Sequence, residues 1–141
     1  MCIFCRIIEG TAPGHVVYED SLTVAFLDIN PISDGHTLIV TRLHEERLEN
    51  LPPEHAKALF RTLCRLVGPI QRAMGMPATS IGINNGREVG QLVPHVHIHV
   101  IPRAAVSKRV FTDAVSRIKP RSPEYFSEVA DKIRKEVEAT P

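Results

Sequence analysis

The clearest pattern of hydrophobic and polar residues lies at positions 95–101, where three histidines alternate with valine and isoleucine. Successive side chains of a β-strand point to opposite faces of a sheet, so this alternation predicts a strand, which we place over 93–101. One face would carry His95, His97 and His99, and the other only apolar side chains. The segment therefore predicts a row of imidazoles backed by the hydrophobic core.

The remaining pattern predicts four more strands and two helices. Short β-rich runs occupy positions 16–18, 23–27, 37–41 and 79–84, with turn-forming residues at several of their ends. Apolar residues recur at helical spacing after Pro52 and Pro53 until Gly75, and positions 123–138 form an amphipathic repeat. We expect an α+β fold, an antiparallel sheet with one long helix and a C-terminal helix.

Length and composition restrict the class of protein. The chain has 141 residues, 43% hydrophobic and 23% charged, which suits one compact domain. Lys and Arg total 17 against 16 for Asp and Glu, and this net charge of +1 argues against binding to nucleic acid through phosphate neutralisation. No apolar run reaches the ~20 residues of a membrane span, and the first residues do not resemble a signal peptide. We expect a cytoplasmic protein that binds neither membranes nor nucleic acid stably.

Two of the three cysteines, Cys2 and Cys5, form a Cys-x-x-Cys pair, a spacing typical of metal or redox sites. The pair supplies half of the four ligands of a structural zinc site. His44, just after the third predicted strand, and His95 are our candidates for the other two ligands. Cys64 lies in the long predicted helix, where we expect it to fill the core.

The spacing of the three histidines limits their joint chemistry. In a strand, His95 and His99 lie about 13 Å apart, too far to bind one zinc ion. An adjacent pair could chelate a metal, as in a zinc hydrolase. Alternatively, a neutral imidazole can attack phosphorus with its free lone pair, while a protonated His99 donates to a phosphate oxygen or to the leaving atom. Both chemistries are compatible with the residues alone.

These residues resemble those of a known family. The pattern His-φ-His-φ-His-φ-φ, with φ apolar, is the signature of the histidine-triad nucleotide hydrolases and transferases, and positions 95–101 match it completely. The resemblance covers residues 2 to about 103. Its other segments are Cys2-Ile-Phe-Cys5-Arg-Ile-Ile8, Ala25-Phe-Leu-Asp-Ile-Asn-Pro31, Gly35-His-Thr-Leu-Ile-Val40, Asn84-Asn-Gly86 and Gly90-Gln91. The Cys-x-x-Cys start is similar to that of the zinc-containing bacterial and archaeal branch.

The resemblance implies roles for four histidines. His97 would be the nucleophile that forms a covalent nucleotidyl intermediate, and His99 would contact the α-phosphate and the leaving group. The backbone carbonyl near His95 would hold the His97 ring in its reactive tautomer. His36 would support the site from behind.

The resemblance also implies where a nucleotide binds. Asp28 would accept hydrogen bonds from the ribose hydroxyls, and Ile29 would pack on the base. Asn84, Gly90 and Gln91 would line the phosphate and leaving-group side. Together with the two histidines that contact phosphate, these residues make up the expected nucleotide site.

Metal, assembly and domain boundaries follow from the same resemblance. The structural zinc ligands it implies are Cys2, Cys5, His44 and His95. It implies a homodimer in which the five-stranded sheets of two chains pair. We expect residues 1–103 to form the catalytic domain, and residues 104–141 to be a tail with an amphipathic helix that belongs to the same unit.

Two positions depart from the family pattern. Leu92 stands where many members carry Ser or Thr, so a hydroxyl contact to the phosphate is missing. Pro94 directly precedes the triad and removes a backbone donor, which predicts that the strand begins there or lies at a sheet edge.

The sequence therefore predicts hydrolysis of a nucleotide α-phosphate linkage, in a dinucleoside polyphosphate or a phosphoramidate, with release of AMP or another nucleoside monophosphate. A purine nucleotide containing AMP is the expected substrate. Three alternatives are a nucleotide sensor or scaffold with negligible turnover, a nucleotidyl transferase, and the zinc hydrolase above. The transferase is less favoured, since the family resemblance implies a glutamine in that branch where His99 stands here.

Overall fold

The computed structural model describes residues 1–105 and 120–141. Within these residues the chain forms three α-helices and five β-strands. The helices are α1 (Ile3–Glu9), α2 (Pro53–Met74) and α3 (Pro123–Ala139). The strands are β1 (Val16–Glu19), β2 (Thr23–Leu27), β3 (Thr37–Thr41), β4 (Ala78–Gly82) and β5 (His97–Arg103). Part of the predicted tail, residues 106–119, lies outside the described residues.

The five strands form one antiparallel sheet in the order β1-β2-β3-β5-β4. The α+β class, the five strands and both predicted helices are confirmed. β5 lies inside the sheet, where His97 is paired with Val40 and His99 with Leu38 of β3. The histidine-bearing strand is thus held by neighbours on both sides.

One face of the sheet carries the main hydrophobic core. Val96, Ile98 and Val100 are buried there, as the alternating pattern predicts. Helix α2 covers this face and α3 packs on α2 and β1. Each of these branched side chains contributes about 1.5–3 kcal/mol by leaving water, which keeps the strand in one register and its histidines on the opposite face.

The opposite face is covered by the short helix α1, which the sequence analysis did not predict. Phe4 of α1 packs edge-on against Phe26 of β2, with ring centroids 5.2 Å apart. The helix starts where the Cys2 sulfur accepts a hydrogen bond from the Cys5 amide. It ends at Gly10, whose φ of 81° is left-handed and easily adopted by glycine.

Two predictions about single residues were wrong. Pro94 marks neither the start of a strand nor a sheet edge, since β5 begins at His97 between β3 and β4. The preceding residues turn away from the ladder, with the His95 amide bonded to the Val93 carbonyl at 2.8 Å. Cys64 is exposed rather than in the core, because it lies one turn after the exposed Phe60 on the outer face of α2.

No helix among residues 1–105 and 120–141 is long and apolar enough to cross a membrane.

Candidate functional site

His97 opens β5, and a backbone carbonyl fixes its ring. Its Nδ1 atom lies 2.8 Å from the His95 carbonyl oxygen. A carbonyl oxygen can only accept, so Nδ1 carries the proton and Nε2 keeps the lone pair. Phe4 packs edge-on against the ring, with centroids 5.1 Å apart. The result is a buried imidazole held in one tautomer, with the nitrogen that can act as a nucleophile on the side away from the backbone.

His99 is oriented by a second chain of hydrogen bonds. The Ile32 amide donates to His36 Nδ1 at 3.1 Å, so a neutral His36 carries its proton on Nε2. That Nε2 lies 2.9 Å from His99 Nδ1 and donates to it. His99 therefore carries its own proton on Nε2, which makes this nitrogen a donor. Asp28 Oδ2 lies 3.5 Å from His36 Nε2, and its negative charge favours a proton on that nitrogen.

These two sets of hydrogen bonds give the neighbouring imidazoles opposite chemical character. His97 offers a lone pair and His99 offers an N–H group, with ring centroids 5.0 Å apart. We call these two candidate catalytic residues the catalytic pair. This combination of nucleophile and donor is what substitution at phosphorus requires.

A cavity of about 750 Å³ lies beside the catalytic pair, within the range of small-molecule sites. Asp28 and Ile29, two of the predicted nucleotide contacts, line it together with both members of the pair. One Asp28 oxygen also accepts from the Asn30 amide at 2.8 Å, so this residue shapes its loop as well. Apolar walls are supplied by Ile3, Phe4, Ile7, Phe26, Leu27 and Leu38.

The other predicted nucleotide contacts lie in the loop between β4 and β5, outside the cavity lining. Asn84 Nδ2 is buried and has no hydrogen-bond partner within the described parts of the chain. It lies 3.9 Å from where a Cβ on Gly90 would stand, so these two residues are neighbours. A buried donor without a partner costs about 1–3 kcal/mol, which a ligand acceptor would recover.

Gln91 has both ends of its amide bonded within the protein. Its Oε1 accepts from the Gly86 amide at 2.7 Å, and its Nε2 donates to the Glu46 carbonyl at 2.8 Å. The side chain is buried and braces the loop against the segment after β3. Its predicted contact with a phosphate stays a prediction, while its bracing role is observed.

The four predicted zinc ligands meet at the other end of the histidine run. They form the metal cluster, which consists of Cys2, Cys5, His44 and His95. The six distances among the two Sγ and two Nδ1 atoms run from 3.2 to 3.6 Å. Tetrahedral zinc, at about 2.3 Å from sulfur and about 2.1 Å from nitrogen, needs ligand atoms about 3.3–3.8 Å apart. The donor set and its spacing fit zinc closely.

His95 presents the correct nitrogen to this cluster. Its Nε2 donates to the Thr41 carbonyl at 2.7 Å, so the lone pair lies on Nδ1, facing the two sulfurs. Burial lowers the pKa of His95 to about 4, which keeps the ring neutral at neutral pH, the form that binds metals. Burial and a hydrogen bond with Cys2 raise the pKa of the Cys5 thiol, and a bound cation would counter that shift.

Asp28, His36 and His99 form a second group of possible ligand atoms, all within 4.8 Å of one another. The hydrogen bonds among these residues already account for their arrangement.

The chain belongs to the HIT domain family, whose model matches residues 9–106. It is 46% identical over 103 residues to an uncharacterized HIT-like protein of Methanocaldococcus jannaschii, covering 73% of this chain and 79% of that protein. It is 37% identical over 102 residues to a Schizosaccharomyces pombe protein named adenosine 5'-monophosphoramidase, covering 72% and 74%. The family predicted from the sequence is therefore confirmed.

Solved structures support the same assignment. A hypothetical histidine triad nucleotide-binding protein from Sulfolobus tokodaii superposes with a TM-score of 0.87 at 29% identity, covering 98% of this chain and 93% of that one. A zinc-bound histidine triad family protein from Mycobacterium smegmatis gives a TM-score of 0.79 at 30% identity, covering 98% and 94%. The fold of the family extends over nearly the whole described chain.

The sequence analysis missed the contributions of α1 and α3 to the cavity. Ile3 and Ile7 line it from α1, while Pro123 and Phe126 line it from the start of α3. The Cys-x-x-Cys pair implied that the first residues approach β5, and this signal could have placed α1 over the site. No local signal in α3 points to the cavity, because its apolar residues also serve the core.

Proposed function

We propose that this protein hydrolyses a nucleotide at its α-phosphate, in a phosphoramidate or a dinucleoside polyphosphate, through a covalent nucleotidyl-His97 intermediate. The observation that carries the proposal is the pair of opposed tautomers, in which His97 keeps a lone pair on Nε2 while His99 presents an N–H. Family membership and a relative named as a phosphoramidase support the same reaction class.

In the first step, the lone pair of His97 Nε2 attacks the α-phosphorus. The bond from phosphorus to the leaving nitrogen or oxygen breaks and leaves its electron pair on the leaving atom. The His99 Nε2–H donates a hydrogen bond to that atom, and a leaving nitrogen takes a proton from solvent. The His95 carbonyl stabilises the positive charge that develops on the His97 ring, since it accepts from Nδ1–H. The products of this step are the nucleotidyl-His97 intermediate and the leaving group, an amine or a polyphosphate anion.

In the second step, water attacks the same phosphorus. The water loses a proton to solvent, and the electron pair of the phosphorus–nitrogen bond returns to His97. One water is consumed and a nucleoside monophosphate, AMP for an adenosine substrate, is released. His36 acts as a positioning residue, because its Nε2–H keeps the His99 proton on the side that faces the reaction.

The nucleotide would lie in the cavity with its ribose at Asp28 and its base against Ile29 and the apolar wall. Asn84, with its buried and unpartnered amide donor, would bind an oxygen on the phosphate side next to Gly90. Gln91 would act there mainly by holding the loop in place.

Zinc in the metal cluster would be structural, since four protein ligands leave no open coordination position. It would tie the start of α1 to the segment after β3 and to the segment before β5. The catalytic pair lies outside the cluster, and this argues against a zinc hydrolase. A homodimer with a continuous sheet, a cytoplasmic location and a catalytic unit spanning 1–103 remain part of this proposal.

The test compares wild type with His97→Gly on adenosine 5'-phosphoramidate and diadenosine polyphosphates, with and without brief chelation. We expect AMP release by wild type alone, insensitive to chelation, and rapid quenching should trap protein heavier by one nucleotidyl group. His55→Gln, a change to a histidine outside the cavity lining, is the matched control and should keep full turnover.

Nucleotide binding without turnover would replace the hydrolase with the sensor or scaffold. Release of AMP only with an acceptor other than water would favour the transferase. Immediate loss of turnover on chelation, with the fold retained, would favour the zinc hydrolase.

A further inference from the structure

The cavity continues beyond the residues expected to hold phosphate and ribose. Its far wall is formed by the segment before β1 and the start of α3, through Pro13, His15, Arg121, Pro123 and Phe126. Most of this wall lies at or beyond the limits of the family match at residues 9–106. Among the described residues that line the cavity, Arg121 is the only lysine or arginine.

The order of the strands tells which part of a nucleotide reaches this wall. The catalytic pair stands on β5, and the sheet runs from β5 through β3 and β2 to β1. His15 directly precedes β1, and its carbonyl accepts from the Leu27 amide at 3.1 Å. Three strand spacings, about 14 Å, separate β5 from β1. Asp28, at the end of β2, lies between the two.

In a nucleotide the ribose lies between the phosphate and the base. In the cavity, Asp28 likewise lies between the catalytic pair and the far wall. With phosphorus at His97 and ribose at Asp28, the base extends toward β1 and the start of α3. The apolar walls from α1 and β2 cover the faces of the base, so the far wall meets its edge. Recognition of one base over another depends on this edge, because only the edge carries distinguishing donors and acceptors.

Arg121 is held in a defined place on this wall. Its guanidinium lies over the Tyr125 ring, 5.3 Å from the centroid, and the Tyr125 hydroxyl bonds to Asp34. The Ser122 hydroxyl accepts from the Tyr125 amide at 3.1 Å and fixes the first turn of α3. A planar guanidinium keeps its donors in a fixed fork, so it loses less entropy on forming two parallel hydrogen bonds.

We propose that Arg121 reads the edge of the base and selects 6-oxopurine nucleotides, those of guanine and hypoxanthine, over adenine. A guanidinium carries only donors. Guanine and hypoxanthine present two adjacent acceptors, O6 and N7, which match its fork, whereas adenine presents an amino donor at position 6. The inference rests on the proposed function for the placement of the phosphate, and it assigns the base that this function left open.

The experiment measures binding of GMP, IMP and AMP to the full chain by titration calorimetry, for wild type and Arg121→Met. We expect wild type to bind GMP and IMP about 10-fold or more tighter than AMP, as a bidentate contact gives. Arg121→Met keeps an apolar stem but has no donors, so the three affinities should converge. Arg121→Lys keeps the charge and should also lose most of the preference, because it lacks the planar fork.

The control variant is Lys132→Ala, which removes one positive charge from an exposed position of α3 outside the cavity lining. It should keep the wild-type preference. Ratios of kcat/KM for guanosine and adenosine 5'-phosphoramidates provide a second readout that a general loss of stability would not move.

Three outcomes separate this inference from the proposed function. Hydrolysis of both nucleotides with no preference, or a preference that survives Arg121→Met, overturns the role of Arg121 and leaves the hydrolase intact. Preferential binding of GMP and IMP without turnover supports Arg121 and rejects the hydrolase. Failure of all three nucleotides to bind rejects both.

Discussion

The metal cluster and the catalytic pair occupy neighbouring parts of one histidine run, and they use the imidazole in opposite ways. In His95 the Nε2–H donates a hydrogen bond to a backbone carbonyl, so the lone pair on Nδ1 faces two thiols. In His97 the Nδ1–H donates a hydrogen bond to a backbone carbonyl, so the lone pair remains on Nε2. The hydrogen bond to the backbone therefore suits one imidazole to binding a metal and the other to nucleophilic attack.

The two regions also differ in how completely protein atoms surround them. The metal cluster consists of four protein side chains whose ligand atoms complete a tetrahedron among themselves. The catalytic pair instead has protein on one side and a cavity of about 750 Å³ on the other. The first arrangement suits stability and the second suits chemistry, and the predictions below test that division.

The largest effect is expected from removing the nucleophile. His97→Gly should lower kcat by about 10⁴-fold or more, since the covalent route is lost. Its zinc content should stay at the wild-type level, because His97 is outside the metal cluster. Activity assays and metal analysis of the same preparation check the fall in kcat and the zinc content. Turnover near wild type would show that the division between the two regions is wrong.

The converse change is Cys5→Ser, which removes a proposed zinc ligand without changing the cavity lining. We expect loss of bound zinc and a fall of about 3 kcal/mol or more in the free energy of unfolding, because metal binding stabilises the folded state. Denaturant unfolding and metal analysis measure these losses. Cys64→Ser, an exposed cysteine on α2, is the matched control and should change neither.

A smaller effect is expected from His36, which orients a member of the catalytic pair. His36→Ala removes the N–H that donates to His99 and should lower kcat about 10–100-fold with little change in KM. Steady-state kinetics separates the two constants. An equal rise in KM with kcat unchanged would mean that His36 supports binding rather than the orientation of His99.

The smallest effect concerns the contact between α3 and the loop after β2. Tyr125→Phe removes the hydroxyl that bonds to Asp34 and should lower the free energy of unfolding by about 1 kcal/mol. Burial and this bond raise the pKa of Tyr125 to about 12, so the hydroxyl stays protonated over the range of the measurement. Zinc content should be unaffected, and a loss of zinc would show that the two regions are not independent.

Much of the fold could be predicted because alternation and helical spacing are local signals. The apolar side of β5 and the stripe of α2 both followed from spacing alone. The four members of the metal cluster followed from residue type and from the family resemblance, although Cys2 and His95 are 93 positions apart.

The misses have physical causes. Helix α1 spans seven residues, about two turns, which is too short for a periodic pattern to stand out. The predicted start of β5 is too early, since His95 lies before the strand in the metal cluster and the Val96 amide bonds to the Glu45 carbonyl at 2.8 Å. Alternation alone cannot reveal such a competing partner.

The long sequence separations inside the metal cluster have a consequence for folding kinetics. Apart from the contact between Cys2 and Cys5, its contacts join positions 39 to 93 residues apart, so the four residues meet only when most of the sheet has formed. Interactions that form after the transition state leave the folding rate nearly unchanged and slow unfolding instead. Bound zinc should therefore slow unfolding and lengthen the lifetime of the native state, without speeding its formation.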